Sequence, residues 1–157
     1  SPTRTRIVLM ESFYTDSPFG SSITAEEVLD SIGFLDDWEE RYRYIIDLGK
    51  SLPALPDELK TEDRFVRGCQ SQVWLAEHFD PAENKLHLAV DSDALIVRGL
   101  AAIVLAALNR KSPQEILDYD MPGYFSQLDL LKHLSPTRGN GVQAMVERIR
   151  SEAGKLA

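Results

Sequence analysis

The sequence predicts an α+β fold in which helices pack on a small antiparallel sheet of about three strands. Three observations carry this. Capping signals recur before stretches of helical period, the middle of the chain switches to a period of two, and residues 98–109 are apolar nearly all round, as a central buried helix would be. Residues 1–22 carry Ser, Thr, Pro and Gly without sustained periodicity and read as a flexible or loosely packed extension; residues 23–157 read as one domain. Thr24-Ala25-Glu26-Glu27 is a capping box, opening a helix with Val28, Leu29 and Ile32 inward and Gly33 as its stop. Asp36 with Glu39 repeats the device for a second helix. Its stripe is Trp38, Tyr42, Ile45 and Ile46, and it ends near Gly49. Pro53 and Pro56 forbid a regular helix in the segment that follows.

Residues 70–79 are rich in Val73, Trp74, Leu75 and Phe79, and Asp80-Pro81-Ala82-Glu83-Asn84 reads as a turn. Over 85–91, Leu86, Leu88 and Val90 alternate with His87, Ala89 and Asp91, which is strand spacing with one wet face. Asp91-Ser92-Asp93 turns the chain again, and Ala94-Leu95-Ile96-Val97 reads as a short third strand before the buried helix. Ser112-Pro113-Gln114-Glu115 supplies an N-cap, a proline at the first helical position and a Glu two residues on. Tyr124, Phe125, Leu128 and Leu131 suggest a short helix. Ser135-Pro136 starts the last one, with the stripe Val142, Met145, Val146, Ile149, Ala153 and Leu156.

The 157 residues suit one domain. Seventeen basic against twenty-five acidic residues give a net charge of −8, which speaks against nucleic acid or an anionic membrane as partner, since both need clustered Lys and Arg. The longest strongly apolar run, 100–108, is nine residues, less than half of the about 20 a membrane span needs. A soluble, cytoplasmic protein is expected.

A single cysteine rules out an internal disulfide and any all-thiolate zinc or iron–sulfur site within one chain. His78, His87 and His133 lack ligand spacing and read as structural, so no metal and no resident cofactor is expected. Cys69 is then either a buried filler or a lone reactive thiol. Gly68 before it permits a tight or left-handed turn, Arg67 offers a positive charge favouring thiolate, and Gln70-Ser71-Gln72 after it argues for exposure. A cysteine hydrolase needs a His to take the thiol proton and a third group to orient it. His78 lies nine residues further on, and no such signature surrounds His87 or His133.

Gly68-Cys69-Gln70-Ser71-Gln72-Val73-Trp74 resembles the active-site loop of the SufE family of sulfur acceptors. The likeness continues through Asp91-Ser92-Asp93-Ala94-Leu95-Ile96-Val97-Arg98-Gly99-Leu100, Ser112-Pro113-Gln114-Glu115-Ile116 and Leu134-Ser135-Pro136-Thr137-Arg138-Gly139-Asn140-Gly141. Upstream, Trp38-Glu39-Glu40-Arg41-Tyr42 and Leu48-Gly49-Lys50-Ser51-Leu52-Pro53 also fit. The resemblance implies an α+β fold like that of the IscU-type cluster scaffolds. It also implies a role as persulfide carrier and activator, rather than turnover enzyme. In that role Cys69 accepts sulfane sulfur from a PLP-dependent cysteine desulfurase and passes it towards iron–sulfur cluster assembly or another acceptor. A scaffold needs several thiolates; one thiol carries sulfur but cannot cage iron.

The resemblance further implies an anion-stabilising role for Arg138, and loop or partner contacts for Gly68, Gln70 and Asp93. Residues 53–67 would be the flexible arm and Gly68 its pivot, with Val66, Val73 and Trp74 lining a pocket for the sulfur. Gln70-Ser71-Gln72 is similar to SufE proper. Pro18-Phe19-Gly20, Thr24-Ala25-Glu26 and Leu48-Gly49-Lys50 are similar to the paralogue CsdE, so the implied partner is a SufS-like or CsdA-like desulfurase. The other functional class in play is an autonomous thiol enzyme or redox sensor using Cys69.

Overall fold

The computed structural model describes Pro2 and residues 12–157. After a helical stretch at residues 12–15, the main elements run in the order α1 (Ala25–Gly33), α2 (Trp38–Gly49), β1 (Val73–Asp80), β2 (Lys85–Ser92), α3 (Leu95–Leu108), α4 (Pro113–Asp118), α5 (Met121–Leu128) and α6 (Pro136–Leu156), with short 3-10 turns at Asp57–Leu59, Glu62–Arg64 and Leu131–His133. The class is α+β. Of the expected extension, residues 1 and 3–11 lie outside the described residues, and within 12–22 the side chains of Tyr14, Ser17 and Phe19 are buried.

The caps form where short polar side chains precede a helical stripe. Thr24 accepts from the Glu27 N–H, and Ser112 with Glu115 forms a reciprocal capping box. The second helix is capped one residue later than the sequence suggested. The Asp37 carboxylate accepts from Glu40 N at 2.8 Å, and Glu40 reaches back to Asp36 N at 3.3 Å. Helix α5 ends at Leu128, because Asp129 takes a left-handed conformation, so Leu131 falls in a 3-10 turn. Leu156 is exposed, at the last residue of α6, rather than part of its buried stripe.

Among the described residues the sheet has two strands, not three. β1 and β2 pair antiparallel from Val73 opposite Ser92 to Asp80 opposite Lys85. The face of β2 expected to be wet, with His87, Ala89 and Asp91, is buried too, because Tyr14, Leu55 and Leu59 pack over it. The expected third strand is the first turn of α3. Val97, Leu100, Ala101 and Val104 share one helical stripe, and their burial outweighs the β-branched look of Ile96-Val97. The outer edge of β2 is satisfied by chain leaving α3. Leu86 exchanges hydrogen bonds with Arg110 and Lys111, and Leu88 N donates to the buried Asn109 side chain at 2.7 Å.

Helix α3 is the centre of the molecule. It packs on α2, β2, α1 and α6, and from Gly99 to Leu108 every residue is buried. The residues 53–67 are pinned rather than free. Leu55 and Leu59 are buried, Leu55 N donates to the buried Asp91 carboxylate at 3.0 Å, and Arg98 joins Asp91 to the Leu52 carbonyl. The segment is rich in charged, exposed residues, but three of its apolar side chains, Leu55, Leu59 and Val66, are buried and hold it down despite its prolines, so it is not the free arm expected. No described helix is long and apolar enough to cross a membrane.

Candidate functional site

The edge of β1 builds the loop that carries the thiol. Phe65 bridges to Trp74 and Val66 N donates to Val73 O at 2.8 Å, which closes residues 67–72 into a short excursion. Gly68 sits there at φ +92°, a backbone conformation that side chains with a Cβ adopt at a cost. Asp93 fastens the far end: its carboxylate accepts from Gln72 N at 3.0 Å, and its own N–H donates to Gln72 O. Gln70 is exposed on the loop.

Half-buried, Cys69 rests against α6, where its Sγ donates to the Gly141 carbonyl at 3.6 Å. A Cβ at Gly141 would stand 3.5 Å from the sulfur, an ordinary contact, so the close approach does not depend on the glycine. Beside the thiol lies a cavity of about 40 Å³, space for about three or four water-sized spheres at about 10–15 Å³ each. Its apolar walls are Val97 and Leu100 of α3 with Val142 and Met145 of α6; Ser135, Thr137 and Arg138 stand at the start of α6, and Gln70 and Ser71 on the loop. Val66, Val73 and Trp74, expected as the pocket, are not among its lining residues. Val66 and Val73 are buried in the main core, and Trp74 joins a second cluster with Leu55 and Leu59.

Burial pushes the Cys69 thiol pKa above its usual value of 9.0. The expected help from Arg67 does not arise: its guanidinium is exposed and 3.9 Å from Glu62. Arg138 is the cation of the cavity lining, on the first turn of α6 that Ser135 caps. The structure therefore gathers Cys69, Gln70 and Arg138 around one cavity, with Gly68 and Asp93 shaping the loop that holds the thiol there. Val97 was missed because its segment read as a strand, and Leu100 because it read only as part of the buried helix. Gly141, Val142 and Met145 were visible only as part of a motif or a core stripe.

The histidines take no part. His78 and His87 face each other across the strands with ring centroids 6.2 Å apart, Tyr14 stacks on His78, and burial lowers the His87 pKa. His133 stacks on Trp38 at 4.0 Å. Separated by sequence, the first two are neighbours in space because residues equidistant from a hairpin turn become partners. Among the described residues no three His, Cys, Asp or Glu side chains converge to hold a metal ion.

Comparison with known proteins places the chain in a family and a fold. A solution structure of a hypothetical protein from Thermus thermophilus superposes with a TM-score of 0.68, covering 83% of this chain and 93% of that one at 21% identity, which speaks to the fold. An uncharacterised SufE-like protein of Rhizobium etli is 49% identical over 130 residues, 82% of this chain and 88% of its own length. Another from Rhizobium meliloti is 46% identical over 134 residues, 83% of this chain and 96% of its own. The SufE family, described as an Fe-S metabolism associated domain, matches residues 26–153. That span takes in the cysteine loop, the central helix and nearly all of α6, and the chain belongs to the SufE family.

Proposed function

We propose that this protein is a sulfur acceptor. Cys69 takes sulfane sulfur from a PLP-dependent cysteine desulfurase, stimulates that enzyme, and carries the sulfur as a persulfide towards iron–sulfur cluster assembly. The family's association with Fe–S metabolism supports the general role. The observation that carries the specific one is the lone thiol on a short loop, lodged beside a small cavity with apolar walls and one arginine.

The transfer asks for little machinery. Once its proton has left to solvent or to a group of the donor, the Cys69 thiolate attacks the terminal sulfur of a donor persulfide. A new S–S bond forms on Cys69, the donor's S–S bond breaks, and the donor departs as a thiolate. The sulfur moves without net oxidation or reduction. The cavity has room for one added sulfur atom, and Arg138 is placed to offset its charge. No His, Asp or Glu lines the cavity, so nothing there matches the base that an autonomous cysteine hydrolase requires.

Intact-protein mass spectrometry after incubation with a desulfurase, PLP and cysteine tests the reading. The expected result is a gain of one sulfur atom that a reductant removes. A mass unchanged with both SufS-like and CsdA-like enzymes, each active on cysteine, overturns it.

A further inference from the structure

The cysteine loop has a third tether, from a side chain distant in sequence. Arg148 of α6 donates through its guanidinium to the backbone carbonyls of Phe65, at 3.1 Å, and Asp63, while its Nε donates to Glu152 at 3.3 Å. Phe65 is the bridge partner of Trp74 and immediately precedes the Val66–Val73 bond that closes the loop. A planar guanidinium fixes two acceptors at once in a way that a single ammonium cannot. Its partner Glu152 is itself mostly buried and also accepts from Lys155, so Arg148 is held at its own end before it reaches the strap.

Helix α6 thus grips the thiol region at two points. Gly141 meets the sulfur itself, and Arg148, two turns later, holds the chain that leads into the loop. Between these points an open surface groove lies between the helix and residues 62–67, with Ala144 and Arg148 on its helix side. The arginine bridges it through its hydrogen bonds to the Asp63 and Phe65 carbonyls.

We propose that Arg148 is a positioning residue for sulfur transfer: its fork on the Asp63 and Phe65 carbonyls keeps the cysteine loop seated on α6, and releasing it is the step that lets Cys69 swing out to a partner. The purpose of that exposure rests on the carrier reading; the tether itself does not. The test is the alkylation rate of Cys69 by a bulky maleimide in the isolated full chain, with folding verified by circular dichroism under the same conditions. Arg148→Met should raise the rate about tenfold, the equivalent of 1.4 kcal/mol in the seated–exposed equilibrium. Arg148→Lys keeps the charge and stem but loses the fork, and should raise it by less.

Arg150→Met is the control. It removes one bond of similar kind from the same helix, to the Leu117 carbonyl at 2.8 Å, away from the loop, and should leave the rate unchanged. If Arg148→Met does not fold, Arg148→Lys against Arg150→Met decides. Unchanged rates in the Arg148 variants overturn the proposal, and so does an equal acceleration in Arg150→Met, since exposure would then only follow lost stability. No desulfurase is present, so failure here leaves the sulfur-acceptor reading standing, and failure of the mass-gain experiment leaves this one intact.

Discussion

Cys69 waits as a thiol. Its hydrogen points at a helix carbonyl and the thiol is partly withdrawn from water, and both favour the neutral form. The alkylation rate of the isolated protein should therefore keep rising as pH passes 9.0, the usual value of the group, rather than levelling off near it. The sign for stability follows. The folded chain keeps the proton over a range where the unfolded chain has lost it, so this group withdraws stability as pH rises above 9.0. Cys69→Ser should cost about 1 kcal/mol or less in denaturant unfolding, yet abolish the sulfur gain and the stimulation of a desulfurase. Full stimulation by the Ser variant would remove Cys69 from the proposed role. Arg138 is exposed, and its Ala variant should unfold within about 0.5 kcal/mol of the parent. A thiol titration should then show the Cys69 pKa moved further up. A lowered melting temperature with an unmoved titration would make Arg138 a structural residue alone.

The elements hold their places by close approach as much as by apolar area. Where α2 crosses α3, Gly49 and Gly99 bring the backbones together, and a Cβ on Gly99 would stand 2.3 Å from the Ile45 carbonyl oxygen. Gly99→Ala should therefore cost about 3 kcal/mol, the upper end of overpacking penalties, because the obstacle is backbone that cannot rotate away. A urea midpoint equal to that of the parent would show that the two helices slide apart freely. At the loop, Gly68→Ala meets both a left-handed backbone and the Ala144 methyl 3.3 Å away. A penalty of about 1–3 kcal/mol is expected, with a shift in the Cys69 alkylation rate as the loop reseats. The helices were legible because their caps and stripes are local. The hairpin was legible for the same reason, its turn at Asp80 being fixed by that residue's own carboxylate accepting from Ala82 and Glu83. Residues 94–97 were not: four apolar residues fit a strand or a helix end equally, and only the fit of Val97 beside Leu100 in the core selects the helix.

At the scale of the molecule, sheet and last helix meet through a pair of carboxyl groups. Glu77 of β1 and Glu152 of α6 share a hydrogen bond. Desolvation and that bond push the Glu77 pKa from 4.5 to about 7, while Glu152, which also receives Arg148 and Lys155, is the ionised partner. Asp63 and Arg64 complete the charges around this site. Between pH 4.5 and 7 the folded protein retains a proton that the unfolded chain has released, so the pair withdraws stability as pH rises through that window. Glu77 is exposed, and water screens the effect to a modest one. Glu77→Gln should flatten the melting temperature against pH over this range; a slope identical to that of the parent would show that the pair does not share its proton. The sequence by itself determined the class, most helix boundaries, the hairpin and the identity of the thiol, since each depends on neighbours a few residues apart and on a count of one cysteine. Only the tertiary structure decided where the thiol rests, that the chain before it is tied down, and which side chains wall the cavity. Those contacts join residues 69 to 141, 55 to 91 and 65 to 148, and the burial that selects them exists only once the whole chain has closed around α3.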